Sequence, residues 1–134
     1  MVSLFTDRLL IYVDKIDEQH EKIFKVVEKL QKACSSQGNK EELIELFNVL
    51  KIYMKEHFEE EERYMVQYAY PHYGEHKENH NIFARKMSVL EKTVSLDYIS
   101  LAKIVEINEF ISEGFITHIS DVDSKLGEYL QDKL

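Results

Sequence analysis

The sequence predicts an all-α protein: an up-down-up-down antiparallel four-helix bundle with an N-terminal arm and a short C-terminal helix. One proline and four glycines punctuate 134 residues, and Leu, Ile, Val, Glu and Lys fill the periodic stretches, which favours long helices over sheet. Apolar residues recur at three-and-four spacing in four separate segments. The breaks between those segments are short, so consecutive helices become antiparallel neighbours. At 44% hydrophobic composition, residues 1–134 are expected to form one domain that buries roughly two-thirds of its unfolded surface.

Met1 to Val13 reads as a packed arm, because the apolar run at Leu9 to Val13 lacks the basic flank and length of a signal peptide or membrane span. The first helix is predicted from about Asp17 to Ala33, with Asp17 as N-cap and Ile16, His20, Ile23, Phe24, Val27 and Leu30 on one face. It ends in a loop-like run, Ser35-Ser36-Gln37-Gly38-Asn39; beside this lies Cys34, the only cysteine, which fits a reducing compartment. The second helix, capped by Asn39, extends to about Tyr68 with Leu43, Leu46, Phe47, Leu50, Met54, His57, Glu61 and Met65 in its stripe. Pro71 fits the first turn of the third helix, where its missing N–H costs nothing, and His76, His80, Phe83, Met87 and Leu90 follow. The fourth runs from about Asp97 through Ile99, Ala102, Val105, Phe110 and Ile111 to His118. Residues from Ser124 to Leu134 form the terminal helix, with Leu126 and Leu130 facing the bundle.

Net charge is -8 and no Lys/Arg patch is concentrated anywhere, which argues against nucleic acid and anionic membrane partners. Soluble cytoplasmic behaviour is expected.

Chemistry is concentrated in His20, His57-x-x-x-Glu61, His76-x-x-x-His80, and His118 followed by Asp123. Helical residues four apart lie only about 40° from each other, so each spaced pair reaches one point, and donors from four helices converge inside a bundle. Asp123 is the exception. Five residues amount to about 140° net on a regular helix, so if both His118 and Asp123 bind, the helix must end or distort between Ile119 and Val122. His72 extends the 76/80 series, but it diverges by about 80° from His80, and all three cannot aim at one metal. Five imidazoles, two carboxylates bridging through both oxygens, and one bridging oxide or hydroxide fill all but one position of two octahedral metals. Such a mixed set without thiolate suits iron or manganese better than structural zinc. In isolation, His57 and Glu61 read as a surface pair worth about 0.3 to 0.5 kcal/mol, yet they lie in phase with Leu50, Met54 and Met65. Glu56, Glu59, Glu60 and Glu62 read as a solvated face, and Tyr64 as a donor near Glu61.

In Asp17-Glu18-Gln19-His20, His57-Phe58-Glu59-Glu60-Glu61-Glu62, Tyr70-Pro71 followed by His76 and His80, and His118-Ile119 with Asp123, the chain resembles the hemerythrins, and among them the single-domain bacterial form. The resemblance covers nearly the whole chain. It implies that His76, His80 and His118 hold one iron and His20 and His57 the other, with Glu61, Asp123 and an oxo or hydroxo group bridging. The two ions would cycle between ferrous and ferric while dioxygen binds reversibly at the open position of the two-histidine iron. The same resemblance favours His76 and His80 over His72, and makes Ile23, Phe58 and Phe115 the apolar lining that excludes water. Family members often carry tryptophan where this chain has Gly114, which implies spare room beside the pocket and faster autoxidation.

A ferritin-like oxidase would need Glu-x-x-His motifs, and a zinc protease His-Glu-x-x-His; neither spacing occurs. Two rivals remain: a diiron enzyme or scavenger acting on O2, peroxide or nitric oxide, and an O2 sensor signalling through a partner. Carriage, with an O2-consuming enzyme or a signalling partner as the receiver, is preferred over an enzyme because none of Ile23, Phe58 and Phe115 donates a proton.

Overall fold

The computed structural model describes residues 9–35, 40–94 and 101–134. Four helical rods make the bundle: α1 (Asp14–Ser35), α2 (Lys40–Gln67), α3 (Tyr73–Val94) and α4, residues 101–130. Helix α1 packs against α2 and α4, and α2 against α3. Across the remaining seam, the rings of Phe83 on α3 and Phe110 on α4 lie 4.8 Å apart. No helix among the described residues is long and apolar enough to cross a membrane.

Rod α4 is not regular. It comprises Leu101–Glu109, a π-helical turn Phe110–Gly114, Phe115–His118, a second π turn Ile119–Asp123, and Ser124–Leu130. A π turn bonds residues five apart, so it closes a full turn between His118 and Asp123 and returns both to one face. This is the distortion that the five-residue spacing demands. The terminal segment runs on from α4 without a break, and Leu126 and Leu130 are fully buried.

Several boundaries differ from the sequence expectation. Helix α1 begins three residues before Asp17, so Asp17 is not its N-cap. From inside the first turns its carboxylate accepts from the backbone N–H of Ile11 at 2.9 Å and of Tyr12 at 3.0 Å, satisfying donors of the incoming arm. The backbone of Cys34 lies within α1 rather than in a loop. Helix α3 starts at Tyr73, leaving Pro71 in the preceding turn. Val105 is 48% exposed; Ile111 is buried as expected, and Ile107 takes the other inward position. Asn39, Asp97, Ile99 and the first eight residues lie outside the described residues, as does the side chain of Ala102.

Helix α2 ends in a Schellman motif: Tyr70 N–H donates to the Met65 carbonyl at 2.9 Å and Ala69 N–H to Val66 at 3.3 Å. Ala69 adopts φ 52°, the left-handed conformation that favours glycine. The turn delivers Tyr70, buried, to within 5.2 Å of the Tyr129 ring.

The polar donors occupy one level of the bundle and apolar layers close it on both sides. On one side lie Phe24, Val27, Leu30, Phe47, Leu50, Met87, Leu90, Ile107 and Ile111; on the other, Ile16, Met65, Leu126 and Leu130. The arm seals that second end through Leu9, Ile11 and Val13, all buried at alternate positions. Gln131 holds it, donating from Nε2 to the Ile11 carbonyl at 3.1 Å.

Gly127 is required by this seal, since a Cβ there would stand 2.6 Å from the Ile11 carbonyl oxygen. Gly127→Ala should therefore destabilise the protein by about 1 to 3 kcal/mol through overpacking, whereas Gly74→Ala, with nothing within 4 Å, should not; urea unfolding measures both. Ala69→Gly should raise stability by up to about 1 kcal/mol by removing left-handed strain, read in the same titrations.

Candidate metal centre

Four helices each contribute to one buried cluster: His20 from α1, His57 and Glu61 from α2, His76 and His80 from α3, and His118 and Asp123 from α4. All seven side chains are at most 4% exposed as residues. Every ring presents Nε2 inward. His118 Nε2 lies 2.9 Å from Asp123 Oδ1, and His76 Nε2 lies 3.1 Å from the same oxygen. His80 Nε2 is 3.1 Å from Glu61 Oε1, His57 Nε2 is 3.2 Å from it, and His20 Nε2 is 2.9 Å from Asp123 Oδ2.

The donors divide into two overlapping groups whose ligand atoms lie within 4.8 Å of one another: Glu61, His76, His80, His118 and Asp123, and His20, His57, Glu61 and Asp123. Both carboxylates belong to both groups. Despite their proximity, His76 Nε2, His118 Nε2, Glu61 Oε2 and Asp123 Oδ1 have no hydrogen-bond partner among the described residues. Buried polar atoms left in that condition are costly, and lone pairs aimed at common points are what cations satisfy. The cluster is able to bind metal.

Without a cation, protons take its place. Burial works against charge on the His57 ring, but Glu61 and Asp123 outweigh it and raise its pKa to about 10. His76 is likewise disfavoured by burial and nevertheless raised to about 9 by the same two carboxylates. His20 is lowered, by burial and then by the neighbouring His57. Burial pushes both acids up, and Asp123 repels Glu61 further, yet the surrounding imidazoles hold Glu61 and Asp123 below their ordinary values.

Three further side chains orient the rings, and the sequence reading missed them. Gln19 Oε1 accepts from His57 Nδ1 at 3.1 Å, Glu62 Oε2 from His80 Nδ1 at 3.0 Å, and Asn79 Oδ1 from His118 Nδ1 at 2.7 Å. Each stands next in sequence to a cluster residue on its own helix and reaches the histidine of the following helix. Adjacency to His20, Glu61 and His80 was the available signal. The carboxylates expected to be solvated therefore split. Glu56 and Glu59 are exposed, but Glu62 also accepts from Lys77 at 2.8 Å, and Glu60 is buried between Lys15 and Arg63. Tyr64 stacks on Tyr68.

The remaining sequence-selected residues fall as follows. His72 is exposed beside Glu75, away from the cluster. Ile23 and Phe115 are fully enclosed, and Phe115 lies edge-on to His20 at 5.8 Å. Phe58 stacks on His80 with centroids 4.0 Å apart. Gly114 borders Phe110 and Phe83 on a surface groove between α3 and α4, so the Phe83 ring, 6.1 Å from His118, stands between it and the cluster.

Residues 12–130 match the model of the hemerythrin HHE cation binding domain. The chain belongs to the hemerythrin family. Among similar hemerythrins is a bacteriohemerythrin of Campylobacter jejuni, 30% identical over 125 residues, covering 90% of this chain and 89% of the relative. Another, from Clostridium acetobutylicum, is 26% identical over 123 residues, covering 90% and 95%. A crystal structure of a wild-type hemerythrin superposes with a TM-score of 0.72 at 25% identity, covering 87% of each chain.

In this hemerythrin cluster, the raised imidazoles stabilise the metal-free fold fully below their ordinary value of 6.5, and that contribution is lost as pH climbs through about 9 and about 10. Metal-free protein should therefore show a falling urea midpoint from pH 6.5 to 10, whereas protein loaded with a divalent cation, whose rings are already deprotonated, should not. Replacing Gln19, Glu62 or Asn79 by leucine should weaken cation affinity on the order of 10- to 100-fold, measured by competition with a chelator.

Proposed function

We propose that this chain is a cytoplasmic, single-domain reversible dioxygen-binding protein, for transport, storage or delivery, built on a carboxylate-bridged pair of irons. His76, His80 and His118 would hold one ion and His20 and His57 the other, with Glu61, Asp123 and an oxo or hydroxo group between them. The observation that carries the reading is the two overlapping donor groups that share both carboxylates. One group has three imidazoles and the other two, which leaves the second ion a position for an exogenous ligand. Bound there, the iron pair supplies the two electrons and the open site that reversible dioxygen binding needs.

The protein's own part is exclusion and orientation. Ile23, Phe58 and Phe115 are buried apolar groups, Phe115 edge-on to His20 and His57 and Phe58 stacked on the His80 ring, and their part would be to deny water to the open position. None of them can donate a proton, which favours binding over turnover of O2, peroxide or nitric oxide. Lone Cys34 and the absence of a basic patch fit the cytoplasmic assignment.

Iron-loaded protein should contain two irons per chain and, after anaerobic reduction, develop an O2-dependent absorption band that argon purging removes. One-way conversion to the ferric form would instead mark an oxidase or scavenger. Gly114→Leu, pressing on Phe83 and Phe110, should slow the spontaneous rise of ferric absorbance under air; an unchanged or faster rise would count against a role for Gly114.

A further inference from the structure

Among the described residues, three concavities near the metal cluster differ in chemistry. The groove at Gly114 is cut off by Phe83. A small cleft at His76 is lined by His72, Glu75, Asp121 and Lys125, a surface suited to water and ions. The third is a pouch of about 370 Å³ between α2 and α3, whose floor is Met54, Phe58, Phe83 and Met87, with Ala84 on its wall and His80 at its inner end.

Phe58 is the partition between this pouch and the cluster. Its ring stacks on His80 at 4.0 Å and stands 5.8 Å from His57 and 5.7 Å from His118. Interhelical ion pairs flank the mouth at both ends: Lys51 with Glu91 at 3.0 Å, and Lys77 with Glu62 at 2.8 Å. They tie α2 to α3 around an opening rather than across it. Polar side chains such as Lys55, Glu59 and Asn81 rim the mouth, but the apolar floor is a concave surface of the kind that accepts small apolar guests.

The geometry points to this pouch as the entry chamber for dioxygen, a small apolar gas collected over Met54 and Met87 and passed to the cluster when the Phe58 ring yields. The inference rests on the dioxygen-binding reading. Apart from His80 at its inner end, the pouch holds none of the proposed metal ligands, so filling it from the outer wall changes how fast the gas arrives and leaves, not how tightly it is held.

Xenon reports the chamber independently of iron chemistry. In full-length, metal-loaded protein carrying 13C-methyl methionine, xenon pressure should shift the Met54 and Met87 methyl signals and leave buried Met65, outside the pouch, in place. Ala84→Phe fills the pouch from an exposed helical position. It should abolish those shifts and slow O2 association and dissociation by a common factor of about ten, which corresponds to about 1.4 kcal/mol of added barrier, with the equilibrium constant unchanged. Ser88→Phe, from another exposed position on the wall, should act in the same direction. Unchanged rates in both variants, or weaker binding at unchanged association rate, would overturn the route. If loaded wild-type protein takes up no O2, the dioxygen reading fails by itself. Xenon shifts at Met54 and Met87 then keep the pouch as a gas site, and their absence removes it.

Discussion

Two carboxylates, Glu61 and Asp123, stand fully buried in the middle of the bundle, and the fold is organised around neutralising them. An uncompensated carboxylate at that depth would cost several kcal/mol. Each is surrounded by imidazoles drawn from different helices, so compensation requires all four rods in register. The apolar layers on either side strengthen the requirement by keeping out the solvent that would otherwise screen the charge. Cations or protons complete the balance, and both act on the same atoms, which couples metal loading to folding and to pH.

How much of this was legible in the sequence depended on whether an interaction ran along one helix or between two. His57 with Glu61, and His76 with His80, are four apart, and helical periodicity alone places each pair on one face. His118 with Asp123 is legible in a different way: the spacing is wrong for an α-helix, and the conflict itself locates the π turn at Ile119–Asp123. Gln19, Glu62 and Asn79 act across helix boundaries, so periodicity carries no trace of their partners. Glu59, Glu60 and Glu62, around Glu61, look uniformly solvated, yet the packing of α2 against α1 and α3 gives each carboxylate a different fate.

Helix ends were read less well than helix faces. Asp17 has the chemistry of a cap and uses it, but on amides upstream of a helix that begins earlier, because the arm rather than the first helical turn presents the unsatisfied donors. Pro71 follows a Schellman turn that is complete before α3 begins, and Ala69 holds the left-handed position where sequence reasoning would look for glycine. Ile111 is buried as its stripe requires, but Val105, six residues earlier and so about 120° away on a regular helix, is exposed, and Ile107, four residues before Ile111, faces inward instead. A solved hemerythrin shares the fold at 25% identity, so the architecture tolerates replacement of most of the sequence.

The orienting side chains run in one direction. Helix α1 steadies a ring on α2, α2 one on α3, and α3 one on α4, and there the series stops: among the described residues nothing accepts from His20 Nδ1. The cluster is thus mechanically uneven. His57, His80 and His118 are clamped from behind, while His20 and His76 have no acceptor at Nδ1 among the described residues and are located by packing, against Phe115 and Tyr70 respectively, and by what their inner nitrogens bind. Each donor group therefore has one compliant ring, His20 in one and His76 in the other, through which bond lengths can adjust on gaining or losing a ligand while the rest of the bundle stays still.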